Sequence, residues 1–379
     1  MTELNTSLCQ NITDFAIDLF HQLRSQKGNL FFSPFSIATA LTLAYAGAKG
    51  TTASQMEQGL RLTLPAEDIH PAYQALMAQL HDDSATPGFK LKTANALWVQ
   101  EGLTLLQKYL DMINKYYGKA IFSLNFQDTE QACNRINGWV KELSNGLITN
   151  LVTPAIVAAF TALVITNAIY FKGLWASQFK EGNTQNAPFT LISGNAIQVP
   201  MMYQKGEFGY FEDPQFQMLE VPYQGQQLSM VILLPHKSTD FTDFEAKVSS
   251  HDLSEWLSNI QLRQVRVYLP RYKLLTELEL GAPLKNLGII DAFSEVKADF
   301  SGISEISPLF ISAVLHTALI EVNEEGTEAA AATAVIMAPR GIGTELAIPV
   351  FRANRPFLFL IRDIQTNTVL FMGRMITPK

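Results

Sequence analysis

Side chains that commonly do chemistry are thinly spread along this sequence. Six histidines, His21, His70, His81, His236, His251 and His316, are scattered, and there is no H-E-x-x-H pair, P-loop, G-x-S-x-G elbow or paired-cysteine zinc pattern. Gly341-Ile342-Gly343 lacks the third glycine of a dinucleotide fingerprint and follows Ala338-Pro339-Arg340, so it does not open a nucleotide-binding helix. Cys9 and Cys133 are too few for a disulfide framework and stand outside metal-ligand spacing, so both are expected as free thiols. No metal and no cofactor is expected. Five of the histidines read as surface residues. His316 falls inside the apolar run ISAVLHTALIEV, where a buried imidazole needs a hydrogen-bond partner, and it reads as a satisfied core histidine rather than a base or ligand.

The charge balance narrows the partners. A net charge of -7 over 379 residues gives no overall basic field for nucleic acid or anionic lipid. The charge-free run from Leu143 to Phe171 is long enough to span a bilayer but is broken by Asn145, Gly146, Asn150, Pro154 and Asn167, so it reads as a loop entering a buried strand. The opening MTELNTSLCQNITDFAIDLF has no basic residue before its first apolar turn and no uninterrupted apolar run of the signal-peptide kind. That favours an intracellular protein, with an extracellular one as the alternative; the sequons at Asn5 and Asn11 matter only in the second case. Arg263, Arg266, Arg271 and Lys273 form a basic group that reads as a solvated strand edge.

Hydrophobic periodicity supplies the scaffold. ITDFAIDLFHQL and FSPFSIATALTLAYAGAKG read as helices, as do Ala66 to Leu80, Glu101 to Tyr117 and Cys133 to Leu143. FKLKTANALWVQ alternates like a strand. From FTALVITNAIYF onward the chain is strand-rich, through AIQVPMMYQ, MLEVPY, LSMVILLP, VRVYLPRYKL and ISAVLHTALIEVNE to PFLFLIRD and VLFMGRM. With no internal repeat and no Gly/Ser linker, residues 1–379 are expected to form one α+β domain.

One stretch fits neither pattern. EEGTEAAAATAVIMAPRGIG, Glu324 to Gly343, could form an alanine-rich helix, but Gly326 interrupts its start and Pro339 its end, and isolated helices this short are marginal. A mobile segment able to become a strand fits better.

Taken from end to end, the chain resembles a serpin. NLFFSPFSIATALTLAYAGAKGTT, TANALWVQ, INGWVKELSNGLI, LVITNAIYFKGLW, EVPY, ISAVLHTALIEVNEEGTEAAAATAV and FRANRPFLFLIRDIQTNTVLFMGRM occur in that family's order and at its separations. Departures are small: Leu147 stands where lysine is common, and Tyr272 where phenylalanine is frequent.

The resemblance implies helices around a large, mostly antiparallel central sheet that opens to admit a further strand, with further sheets and an exposed reactive-centre loop at about 324–347. It implies a sheet-opening cluster of Ser33, Ser36, Asn167 and His316, together with Trp175 near the top of the sheet, and a helix lying across the sheet at Asn137 to Lys141. The loop's hinge would comprise Glu324, Gly326, Thr327, Ala329, Ala330, Ala331, Ala332 and Thr333. Counting along the family's loop places the reactive bond between Arg340 and Gly341, with Pro339 and Arg340 setting specificity for a trypsin-like serine protease, whose pocket carries an aspartate for the guanidinium. The protein is then expected to be an inhibitor rather than an enzyme, a monomer, and a covalent partner of the protease that cleaves it.

Strand alternation supports insertion. Thr327, Ala329, Ala331, Thr333, Val335 and Met337 would share one face and Glu328, Ala330, Ala332, Ala334 and Ile336 the other, which leaves the one carboxylate off the face of small residues. The acidic Ala66 to Asp83 region, with Glu67, Asp68, Asp82 and Asp83 and no Lys or Arg, argues against heparin-type activation. Two other readings stay open: a non-inhibitory serpin acting as chaperone or carrier, and an unrelated soluble enzyme. Small hinge residues separate the first of these from an inhibitor.

Overall fold

The computed structural model describes residues 3–80, 89–144, 146, 148–157, 162–305, 309–327 and 347–378. Most of the loop, 328–346, lies outside them, and so do the expectations placed on Ala329 to Thr333, Pro339, Arg340 and Gly341.

The first half is mainly helical among the described residues: α1 (Glu3–Leu23), α2 (Pro34–Tyr45), α3 (Gly50–Gly59), α4 (Ala66–Leu80), α5 (Gln107–Tyr117) and α6 (Thr129–Leu143). Between them run β1 (Leu30–Phe32), β2 (Phe89–Gln100) and β3 (Ile121–Leu124). The second half begins with β4 (Leu163–Leu174), β5 (Gln185–Thr190), β6 (Ala196–Glu212), β7 (Phe216–Pro222) and β8 (Leu228–Pro235). The helices α7 (Phe241–Lys247) and α8 (Ser250–Ser258) precede β9 (Gln261–Pro270) and β10 (Tyr272–Glu279). After α9 (Gly281–Asn286) come β11 (Ile311–Val322), β12 (Gly326–Thr327), β13 (Val350–Arg352), β14 (Phe357–Asp363) and β15 (Val369–Met375).

Two sheets organise these strands. A nine-stranded sheet runs β1-β15-β14-β8-β7-β6-β9-β13, with β5 on β6; a six-stranded sheet runs β10-β11-β4-β2-β3, with β12 on β4. The six-stranded sheet is mixed, since β11 and β4 are parallel, as are β2 and β3. Its middle strand β4 is apolar on both sides because both are covered. Leu163, Ile165, Ile169 and Phe171 enter the large core, whereas Val164 and Ala168 join Ala94, Trp98, Ala313 and Leu315 beneath Ala132, Ile136 and Val140 of α6. α2 has no polar face either: all twelve residues are buried where it meets α1, β2, β4 and β15. Ser33 caps it by accepting from the Ser36 N–H, with Pro34 in the first turn.

Three details depart from the sequence expectations. The helix expected from Glu101 begins at Gln107, because Gly102 turns the chain at φ +84 and the Leu106 N–H is held by the Ile303 carbonyl. A separate helix, α3, begins at Gly50, where the sequence suggests only the end of α2. His70 is buried rather than a surface residue: Nδ1 meets the Tyr117 hydroxyl at 2.7 Å. Cys9 and Cys133 are free, as expected, and both are buried.

Candidate functional site

Three strands bring one polar cluster into the core of the six-stranded sheet. Asn95 of β2 lies directly opposite Asn167 of β4, and Asn167 directly opposite His316 of β11. All three side chains turn toward the N-terminus of α2. His316 Nε2 accepts the Ser33 N–H at 3.2 Å; Nε2 is therefore unprotonated and Nδ1 carries the proton, donated to the Asn167 side-chain oxygen. The Asn167 amide donates to the Ser36 carbonyl at 3.0 Å, to the Ser36 hydroxyl and to the Asn95 side-chain oxygen. Ser33 Oγ closes the network on the Leu370 carbonyl at 2.7 Å, tying it to the other sheet. Ser33, Ser36 and His316 are fully buried, and burial pushes the His316 pKa down to about 3.

The expected set Ser33, Ser36, Asn167 and His316 is thus assembled, with one addition. Asn95 was not singled out in TANALWVQ, although an asparagine within an alternating strand is a buried-polar signal. Trp175 is not part of the cluster. It stands eight residues past Asn167, about 27 Å along an extended strand.

Trp175 instead organises the root of the loop. Its ring stacks on Tyr223 at 4.7 Å, and its Nε1 donates to the Asn323 carbonyl at 2.9 Å. Its backbone N–H donates to the Glu325 carbonyl at 2.9 Å, and the Phe179 N–H donates to the Glu324 carbonyl at 2.8 Å. The Glu324 carboxylate is buried, accepts the Thr184 hydroxyl at 2.6 Å and pairs with Arg271 at 3.5 Å. Lys273 pairs with Glu321 at 3.2 Å. The basic group read as one solvated edge is therefore divided: Arg271 and Lys273 answer glutamates at the loop's root, whereas Arg263 lies 5.9 Å from the Tyr210 ring and Arg266 is exposed.

Past Asn323 the chain turns back on itself. The Asn323 N–H donates to the Gly326 carbonyl at 2.9 Å, while the Asn323 side-chain oxygen accepts from the N–H groups of Glu325 and Gly326. Gly326 and Thr327 then pair antiparallel to Leu174 and Gly173 as β12. Only glycine fits at 326: its φ is +150, and a Cβ there would lie 2.1 Å from the Gly173 carbonyl oxygen. The β4–β11 ladder, which starts at Leu163 and Ile311, ends at Tyr170 and Leu319, so β12 sits where those two strands have parted.

On the opposite surface of β4, α6 covers the sheet. Asn137 fastens it: its side-chain oxygen accepts from the Leu151 and Val152 N–H groups at 2.8 and 2.9 Å, and its amide donates to the Val152 carbonyl at 2.9 Å.

Among the described residues no group of three or more His, Cys, Asp or Glu side chains could hold a metal, and no helix is long and apolar enough to cross a membrane. The polar cluster holds no base beside a nucleophile poised for attack, since each of its polar groups is turned to a structural partner. Comparison with known proteins shows the family. A family model described as serpin (serine protease inhibitor) matches residues 10–378. The chain is 42% identical over 378 residues to leukocyte elastase inhibitor A of Rattus norvegicus, covering 96% of this chain and 97% of that one. It is 41% identical over 369 residues to an uncharacterized serpin-like protein of Thermococcus kodakarensis, covering 97% of this chain and 85% of that one. Among solved structures, the native thermophilic serpin tengpin superposes with a TM-score of 0.89 at 29% identity, covering 100% of this chain and 95% of that one. Uncleaved ovalbumin gives 0.88 at 32% identity, covering 98% and 100%. The chain belongs to the serpin family of serine protease inhibitors.

Proposed function

We propose that this protein is a suicide-substrate inhibitor of trypsin-like serine proteases, cleaved between Arg340 and Gly341. The family is one of protease inhibitors, so the covalent chemistry belongs to the bound protease and not to this chain. The protease serine Oγ attacks the Arg340 carbonyl carbon. The Arg340–Gly341 C–N bond breaks, the protease histidine passes the serine's proton to the departing Gly341 amine, and an ester joins Arg340 to the protease. Trapping requires the cleaved loop to enter the six-stranded sheet before water hydrolyses that ester.

The observation that carries this reading is the two-residue strand β12, lying antiparallel to β4 where β4 and β11 part. Continuing its register, in which Gly326 faces Leu174 and Thr327 faces Gly173, sets Ala329 opposite Phe171, Thr333 opposite Asn167 and Met337 opposite Leu163, the first residue of β4. The odd-numbered loop residues would then face the large core. Glu328, Ala330, Ala332, Ala334 and Ile336 would face α6, with Glu328 opposite Lys172, which already lies opposite Lys90. Small side chains on the α6 side suit a helix packed on Ala94, Ala96 and Ala168. Ten further residues of strand move Arg340 about 34 Å along the sheet, and the protease with it. Val350–Arg352 is held in the nine-stranded sheet as β13, so the two sides of the cleaved bond would separate.

Specificity rests on the Arg340 side chain. Several relatives, the one from Rattus norvegicus among them, are named for leukocyte elastase. An elastase pocket is small, whereas a guanidinium calls for an aspartate-lined one. Mixing the protein with trypsin and, separately, with elastase tests the assignment. The expected result is an SDS-stable adduct with trypsin and a released fragment beginning at Gly341; Arg340→Ala loses both. Clean cleavage by trypsin without adduct would overturn the trapping reading, and an elastase adduct that survives Arg340→Ala would overturn the trypsin-like assignment.

A further inference from the structure

Beside the anchor of the loop, the outer face of the nine-stranded sheet carries charges in an arrangement that folding does not explain. Strands β6, β9 and β13 line up in cross-strand rows. Tyr203 lies opposite Tyr268, which lies opposite Arg352; in the next row Lys205 lies opposite Arg266, which lies opposite Val350. Their parity puts them on one side of the sheet, since Gln204, Val265, Val267 and Phe351 between them are buried. Lys205, Arg266 and Val350 are exposed.

Like charges directly opposite one another in a sheet are destabilising, and neither Lys205 nor Arg266 makes an ion pair among the described residues. Arg352 has no carboxylate either; its guanidinium lies over the Tyr268 ring at 3.6 Å, and Tyr268 packs on Tyr203 at 4.8 Å. These three residues line a cleft of about 250 Å³ that Asn183 and Asn186 border. In a chain of net charge -7, three cations that make no ion pair among the described residues share this face with one exposed carboxylate, Glu207 of β6, which leaves the face net positive. Leu262, 72% exposed, continues the same face along β9. Arginine, tyrosine and exposed aliphatic groups together are the composition of a protein interface rather than of a polysaccharide track.

We propose that this face is a docking surface for an acidic segment of the target protease. β13 begins ten residues past Arg340, so a protease engaged there would be tethered within about 34 Å of this face. The inference rests on the proposed trapping reading and adds a partner property to it. Arg340 would select the pocket, whereas Arg266, Lys205 and Arg352 would select among trypsin-like enzymes by surface charge and speed the encounter.

The test uses anionic and cationic trypsin, which share a specificity pocket and differ in surface charge, with the intact protein and its Arg266→Glu variant. At low ionic strength the unaltered protein is expected to form adduct faster with anionic trypsin. Arg266→Glu should slow that reaction by roughly tenfold without slowing the reaction with cationic trypsin, and 0.5 M salt should remove the difference. Its thermal transition should not fall, because the new carboxylate faces Lys205. Arg266→Gln, which adds no charge, should show part of the same loss if the Glu variant folds poorly. Unchanged rates with both trypsins would overturn the docking surface while leaving trapping intact; no adduct with either would overturn trapping, and this inference with it. Loss of heparin binding in Arg266→Glu with unchanged protease rates would assign the face to a polyanion and overturn the inference.

Discussion

Asn167 and His316 face each other across parallel strands β4 and β11, joined side chain to side chain, at the point where the extended register of β12 would bring Thr333. On the proposed insertion, that bond would have to break. His316 is uncharged there, because its Nε2 is occupied by the Ser33 N–H and burial holds its pKa down at about 3.

Stability should therefore fall with acid. With a folded pKa of about 3 against 6.5 unfolded, His316 binds its proton only in the unfolded chain across that window. Its contribution is complete above 6.5 and is lost progressively as pH falls toward 3. His70, lowered to about 4 by burial, acts in the same direction. Thermal transitions measured from pH 7.5 to 4.5 should drop, and His316→Gln, though less stable at neutral pH, should show a shallower slope. An unchanged slope in both His316→Gln and His70→Gln would show that carboxylates dominate the acid response.

Asn95 should matter although no catalytic pattern includes it. Its side-chain oxygen accepts from Asn167 and from Ser36 Oγ, the latter at 3.3 Å. Asn95→Ala leaves those donors short of an acceptor in the core, and urea unfolding is expected to register a loss of roughly 1–3 kcal/mol. Wild-type stability in that variant would mean that water or Ser36 replaces it.

Gly326→Ala should disturb the root of the loop. The added methyl would collide with the Gly173 carbonyl oxygen in a backbone conformation that alanine avoids, so β12 cannot form as it stands. Amide exchange at Thr327 is expected to speed up, with a stability loss of roughly 1–3 kcal/mol. Retained protection there would show that the turn at Asn323 can rearrange to accept a side chain.

Charge at the head of the inserting segment should decide the fate of the acyl-enzyme. Glu328→Lys would bring a third cation to Lys90 and Lys172, which are already opposite each other, and Thr327→Arg would force a long cation against Gly173. Both variants should shift the outcome with trypsin from SDS-stable adduct toward cleaved, released inhibitor. A stoichiometry equal to that of the unaltered protein would exclude the extended β12 register.

Much of this molecule was legible in its sequence. The alternation of FKLKTANALWVQ and the apolar runs of β4, β8, β14 and β15 are local signals, and each became the element it implied, whereas α6, expected from Cys133, begins four residues earlier at Thr129, behind the Asp128 cap. His316 announced itself as a buried imidazole in need of a partner. The loop's small residues and Arg340 can be read only from the sequence, because that segment lies outside the described residues. What the chain alone could not decide were relations between residues far apart in it. The basic group at 263–273 looked like one feature, yet sheet pairing sent Arg271 to Glu324 and Lys273 to Glu321 and left Arg266 exposed beside Lys205. Trp175 and Asn167 belong to one expected set, yet an extended strand holds them about 27 Å apart. Side-chain type and period are local properties, so sequence determines which residues want burial or a partner; register is set by how whole strands pack, so only the tertiary structure decided which partner each one found.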